Sequence, residues 1–269
     1  MKKAGFLKFL LLGLIIFLFI PTNSSLAESE FSICGVYFTG VGCPHCSKTD
    51  PVVLGNLLKE YPNLIVIEYE IYQQRSNAPL LSQYNDNYGS GLGIPLLIFN
   101  KDIKERGDSP ILNNIRILIN GLKFNDCPLA EGNSISFNDI DINLLPKFPK
   151  IWHQNKILIK LEQGNDNKLL KELLFSDNLD KSLENVTFEK IIPLKIPLSG
   201  KNVEFENAIK INNWAFQWDG EGLKEPIPEE PASEEPTPEE PTPEEPTPEP
   251  QPKLTLAKII SLAAVDAVK

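Results

Sequence analysis

The sequence predicts an α/β protein in two folded parts, followed by an acidic, proline-rich linker and a C-terminal apolar helix. Three observations carry that expectation. Residues 33–124 alternate strand-like and helix-like periods in the order βαβ(α)ββα. The tetrad Cys43-Pro44-His45-Cys46 stands where the first of those strands gives way to the first helix. From Glu225 onward the composition changes to Glu, Pro and Thr.

Taken from the first residue, Lys2 and Lys3 precede an apolar run from Phe6 to Ile20, broken by Lys8, and small residues Ser25-Leu26-Ala27 follow. That pattern predicts a secretory signal over residues 1–27 with cleavage after Ala27; an uncleaved N-terminal anchor is the alternative. Either way the cysteines that follow are placed outside the cytoplasm, where disulfides persist.

Residues 28–125 form the first expected domain. Ile33 to Thr39 is β-branched and aromatic, hence a strand, and Ser47 to Tyr61 holds Val52, Val53, Leu54, Leu57 and Leu58 at helical spacing. Leu64 to Ile71 alternates apolar residues with Glu68 and Glu70, which predicts a strand with one partly solvated face. A helix over 78–88 ends at Gly89, and Leu96 to Phe99 with a short strand around Ile103 predicts a hairpin at Asn100-Lys101-Asp102. Ser109-Pro110 opens a helix carrying Ile111, Ile115, Leu118, Ile119 and Leu122 on one face.

Residues 126–222 form the second expected part, a small α+β domain for packing or docking. It begins with a polar connector over 128–150 whose apolar stretch 135–145 can dock on the core. Strands are predicted at 156–161, 186–196, 203–211 and 214–218, a helix at 167–175, and turns at Ser199-Gly200-Lys201 and Asn212-Asn213. Trp214, Phe216 and Trp218 share one strand face, as a core stripe or a ligand surface. His153 is the only histidine besides His45, so no metal pair or Ser-His-Asp triad is evident.

The linker occupies 223–252. Glu225 to Pro252 holds ten Glu and no Lys or Arg, with TPEEP repeated at 237–246. Those carboxylates match the chain's formal net charge of −10, so the remainder sums to about zero and the acidity belongs to the stalk. An extended, polyproline-type stretch of 28 residues at about 3.1 Å each reaches roughly 85 Å. The apolar helix, 253–269, is too short and too charged at Lys258 and Asp266 for a confident membrane span; the alternative is an amphipathic tail on a surface.

The tetrad carries the chemistry. Proline suits the first turn of a helix, and two cysteines three residues apart there lie one turn from each other and can close a small ring. The helix N-terminus favours negative charge, so Cys43 is expected to ionise near neutral pH, with protonated His45 adding to the effect. Half of a zinc site and an inert disulfide are the competing readings; the former lacks a second pair, since Cys34, Cys127 and His153 are unpaired in sequence. Cys34 and Cys127 make the cysteine count even, and in an exported protein a second, structural disulfide between them is the economical reading against two buried thiols.

Strand, turn, CPHC and helix in this order resemble the thioredoxin superfamily, and the Pro-His dipeptide resembles the DsbA-type oxidoreductases. Gly93-Ile94-Pro95 before Leu96-Leu97-Ile98-Phe99 matches that family's cis-proline. The resemblance covers about residues 32–124. It implies a thioredoxin-like fold, Cys43 as nucleophile, Cys46 as resolving thiol, Pro95 as the cis-proline, and Ile94 and Pro44 beside the substrate. Many relatives carry a buried acid six residues before the first cysteine; here that position is Tyr37, so no proton acceptor for Cys46 is assigned. Leu254 to Val268 resembles the start of the membrane region of DsbD/CcdA-type cytochrome c biogenesis proteins, although Lys269 ends the chain before their Pro-Cys motif.

The expectation is therefore an extracytoplasmic thiol–disulfide oxidoreductase, without cofactor, acting on protein thiols and disulfides. A membrane electron carrier of DsbD/CcdA type would favour reduction, whereas the likeness to DsbA favours oxidation; the C-terminal segment tips the expectation to reduction or exchange. Rival readings are a non-catalytic adaptor on a stalk and a metallochaperone using Cys43, His45 and Cys46. No basic patch points to nucleic acid.

Overall fold

The computed structural model describes residues 32–162, 168–220 and 222–223. The expected signal segment, the linker from residue 224 and the C-terminal helix lie outside the described residues. Within them the protein is mixed α/β, built on a large central sheet with few helices.

Strand β1 (Ile33–Thr39) is buried along its whole length. Its β-branched and aromatic residues suit a pleated surface covered on both faces. A turn at 40–42 leads into helix α1 (Cys46–Pro51). Pro51 lacks the N–H that the Ser47 carbonyl would receive in a regular helix, and the chain runs on through a wider π-helical stretch, Val52–Asn56, into α2 (Leu57–Glu60). Strand β2 (Leu64–Glu70) then pairs parallel to β1, with Ile33 opposite Leu64 and Thr39 opposite Glu70. Helix α3 (Ala78–Tyr88) stops at Gly89, whose φ of 61° is the left-handed closure that glycine adopts without strain.

The predicted hairpin forms from β3 (Leu96–Ile98) and β4 (Lys104–Arg106). Helix α4 (Asp108–Gly121) follows and buries Ile111, Ile115 and Ile119. Beyond it, β5 (Cys127–Pro128) and β6 (Ser134–Ile135) make a small separate ladder, and Phe137, Ile140, Ile142 and Leu145 dock into the core.

The expected boundary near residue 125 carries no break in the sheet. Strands β7 (Lys150–His153) and β8 (Lys156–Lys160) extend it from the free edge of β2. After helices α5 (Lys168–Phe175) and α6 (Leu179–Leu183), β9 (Glu189–Lys190), β12 (Asn207–Ile211) and β13 (Trp214–Trp218) complete a nine-stranded order β4-β3-β1-β2-β7-β8-β13-β12-β9. Residues on both sides of position 125 thus share one sheet.

The pairing of β7 also changes the environment of β2. The partly solvated face expected there is buried: Glu68 is 0% exposed and Glu70 5%. Glu68 receives Lys150 Nζ at 2.8 Å and Trp152 Nε1 at 2.6 Å, both from β7. The strands expected at 186–196 and 203–211 are each interrupted. Pro193, which has no ladder donor, lies in the break of the first, and the ends of the two pair with each other in a separate hairpin of β10 (Ile196–Leu198) and β11 (Lys201–Val203).

Alternation along the strands divides the apolar residues between two faces. Val36, Phe38, Tyr69, Leu80, Ile98, Leu173, Trp214, Phe216 and Trp218 fill one core. Tyr37, Leu54, Leu57, Val66, Leu97, Ile115, Trp152, Leu198 and Phe205 fill the other. The Trp214-Phe216-Trp218 stripe is therefore core. The β10–β11 hairpin packs on the same face as α1 and α4, which places its tip beside the CPHC turn.

Candidate active site

The site is assembled where β1 hands the chain to α1. Cys43 closes the turn, its N–H donating to the Gly40 carbonyl at 3.0 Å, and the Ser47 N–H donates back to the Cys43 carbonyl at 3.0 Å. Cys43 is 5% exposed and Cys46 fully buried, and both are free thiols. The Cys46 N–H donates to Cys43 Sγ at 3.2 Å, the contact that a sulfur one turn earlier on a helix start can receive. Burial, and then the hydrogen bond shared with Cys43, push the Cys46 thiol well above the ordinary cysteine range; Thr39 and the Gly40 N–H pull the other way.

The other residues expected here fall around this pair. Pro44 and His45 are exposed on the first turn. His45 Nδ1 lies 3.0 Å from Asp108 Oδ1 at the start of α4, and Lys48 Nζ lies 2.6 Å from Asp108 Oδ2. Lys48 first, and His45 after it, hold the Asp108 carboxyl down to about 2. The Ile94–Pro95 peptide is cis. Pairing of Phe38 with Leu96 sets Pro95 level with Thr39, four residues before Cys43. Gly40 is held between Ile94 and Tyr72: a Cβ there would stand 2.8 Å from a side-chain carbon of each. A bulkier residue would push both away from the turn.

Cys34 and Cys127 are joined by a disulfide spanning 93 positions, which ties β1 to the segment after α4. The bond lies on the face opposite α1. His153 is equally remote, buried against Phe175 with Nδ1 3.0 Å from the Leu64 carbonyl. Among the described residues no three His, Cys, Asp or Glu side chains gather as a metal would require.

Three site residues escaped the sequence. Asp50 follows Cys46 by four positions, so it lies on the same, inward side of the helix. It is 0% exposed, and its Oδ1 accepts from Tyr37 Oη at 2.8 Å and Thr39 Oγ1 at 2.6 Å. Ser199, at the tip of the β10–β11 hairpin, supplies its N–H to Asp50 Oδ2 at 2.9 Å. The Ser199 hydroxyl lies 2.8 Å from the Gly40 carbonyl and 2.9 Å from that of Cys43. Burial pushes the Asp50 carboxyl up to about 6; the bonds from Thr39, Tyr37 and Ser199 oppose that rise, and the charge of Glu68 adds to it. A charged residue on the face that also carries Cys46, Val53 and Leu54 was a signal for Asp50. Nothing local pointed to Thr39 or Ser199.

The arrangement can do dithiol chemistry: an outer sulfur at a helix start, an inner thiol held protonated by burial, and a carboxylate one hydroxyl away. Compared with protein-family models, curated proteins and solved structures, the chain matches none.

Proposed function

We propose that this chain is a thiol–disulfide oxidoreductase of thioredoxin-like fold. The observation that carries the reading is the contact between the Cys46 N–H and Cys43 Sγ on the first turn of α1. The strand order β4-β3-β1-β2 around that turn supports the fold assignment.

In the reducing direction, Cys43 as thiolate attacks a substrate disulfide. A Cys43–substrate disulfide forms and one substrate thiolate leaves. Cys46, once deprotonated, attacks Cys43 Sγ, closes Cys43–Cys46 and releases the second substrate thiolate. Two electrons pass from the dithiol to the substrate, and oxidation of a substrate runs the same steps backwards. The leader-like residues 1–27 and the segment 253–269 extend the proposal to an exported protein recharged by a membrane electron carrier.

The test is the reduction potential of the Cys43–Cys46 couple in the full-length chain, read by equilibration in glutathione buffers. A value near the thioredoxin end, about −270 mV, supports a reductant; one near the DsbA end, about −120 mV, reverses the direction. Absence of any exchange, or exchange that persists in Cys43→Ser, overturns the reading.

A further inference from the structure

A second cluster stands on the outer side of the CPHC turn, built from two elements far apart in the chain. The Gly107 N–H donates to the Pro95 carbonyl at 2.8 Å, and Gly107 has a φ of 93°, so the chain bends sharply from β4 into α4 level with Pro95. That bend delivers Asp108 to α1. One of its carboxylate oxygens lies 3.0 Å from His45 Nδ1 and the other 2.6 Å from Lys48 Nζ. The Asp108 side chain is 15% exposed, against 61% for His45 and 59% for Lys48. A carboxylate largely withdrawn from water thus holds both basic groups by their tips. Lys48 and His45 in turn keep it ionised through the neutral range, and its place in the first turn of α4 adds to that.

We propose that Asp108 is a positioning residue that sets the redox poise of the Cys43–Cys46 couple, holding His45 by Nδ1 and offsetting the charge of Lys48 so that the dithiol is an electron donor. The inference rests on the oxidoreductase reading and gives that reaction its direction. Reduction of the Cys43–Cys46 disulfide by two glutathione thiols breaks the protein S–S bond and forms glutathione disulfide. Two electrons enter the protein, Cys46 ends protonated, Cys43 ends as thiolate, and one proton passes to solvent. The reduced state therefore carries a negative charge that the oxidised state lacks. Cations near that sulfur favour the reduced state and make the couple oxidising; an anion does the reverse. His45 follows Cys43 by two positions and Lys48 by five, and Asp108 answers both. Its contact also turns the Nδ1 edge of the His45 ring toward α4, which withholds that edge from the Cys43 sulfur.

The experiment equilibrates the full-length chain at pH 7 across ratios of reduced to oxidised glutathione. Free thiols are then alkylated, and the mass of the peptide carrying Cys43 and Cys46 gives the equilibrium constant. Asp108→Asn removes the charge and keeps the size of the side chain. It should shift the equilibrium toward the dithiol by about three- to tenfold, a tenfold change being about 30 mV toward the oxidising end. Asp108→Glu should keep the parent's value, and Lys48→Met should shift the equilibrium the other way. Both shifts should shrink in 1 M potassium chloride, because salt screens charges that stand in water. Opposite, salt-sensitive shifts from opposite charges are a signature that a merely structural role would not produce. In a His45→Ala background the effect of Asp108→Asn should be smaller. An equilibrium in Asp108→Asn equal to the parent's or shifted toward the disulfide, or an effect undiminished in His45→Ala, would overturn the inference while the parent's own exchange leaves the oxidoreductase reading standing. Failure of the parent to exchange with glutathione at any ratio would remove that reading, and the inference with it.

Discussion

Ser199 and Asp50 stand 149 positions apart, and the N–H of the first donates to the carboxylate of the second at 2.9 Å. Through this bond the separate β10–β11 hairpin reaches the first helix. The carboxylate it meets is buried, and the energetic consequence is open to measurement.

Asp50 in the folded protein titrates near 6, above its ordinary value of 3.8. The native state therefore binds more protons than the unfolded chain between those values, and stability falls as pH rises through that window. An asparagine amide can accept at only one of the two oxygens that Tyr37, Thr39 and Ser199 reach, so Asp50→Asn carries a cost at every pH; relative to the parent it should nevertheless gain on the order of 2–3 kcal/mol as pH rises from 4 to 7.5. Urea unfolding of both proteins between pH 4 and 8 would show it. A gain that does not change with pH would contradict the argument.

Glu70 should behave in the opposite sense. Burial raises its carboxyl, but N–H groups of Gln74, Val41, Gln73 and Tyr72 together outweigh that and hold it below its ordinary value. The stabilisation is present above the unfolded pKa and is lost as pH falls through the folded one. Because a glutamine amide can accept at only one of its two positions, Glu70→Gln should cost roughly 2–4 kcal/mol at pH 7 and progressively less below pH 4. Since Val41 lies in the redox turn, the same substitution should also slow the attack by Cys43. Equal stability of the two proteins at pH 7 would refute the first expectation.

The Cys34–Cys127 bond closes a loop of 93 positions on the face away from the redox pair. Replacing both cysteines by serine should lower stability by roughly 3–5 kcal/mol. The rate of Cys43–Cys46 exchange should stay near that of the unsubstituted chain. A large fall in exchange rate in a protein that still folds would mean that the second pair takes part in electron transfer.

Tyr69 has a fully buried hydroxyl without a hydrogen-bond partner among the described residues, packed between Phe38 and Tyr84. Its removal costs no bond and relieves the desolvation of the hydroxyl. Tyr69→Phe is expected to match or exceed the parent by about 1 kcal/mol in thermal or urea unfolding. A loss of comparable size would show that the hydroxyl is satisfied in solution.

Much of the site's frame was legible in the chain. The strand Ile33–Thr39, the helix beginning at the tetrad, the Asn100 hairpin and the helix after Ser109 all follow from local periods and turn residues. Burial of Glu68 and Glu70 was not legible, because alternation of polar and apolar residues describes a solvated face until another strand covers the edge. Here β7 supplies Lys150 and Trp152 to Glu68. The interrupted strands at 186–211 were blurred by apolar residues that continue across Pro193 and Pro197.

The sequence by itself determined the spacing that sets Cys46 one helical turn beyond Cys43, and the apolar faces that fold β1 and α1 around them. Those are properties of neighbouring residues and survive in any arrangement that buries them. Only the tertiary structure decided that Cys34 meets Cys127, that residues on both sides of position 125 share one sheet, and that Ser199 closes on the Gly40–Cys43 turn. Each of these depends on which strand edges pair and which loop tip is carried over a given face. Such pairing is settled by the burial of the whole sheet, and leaves no local period in the chain from which to read it.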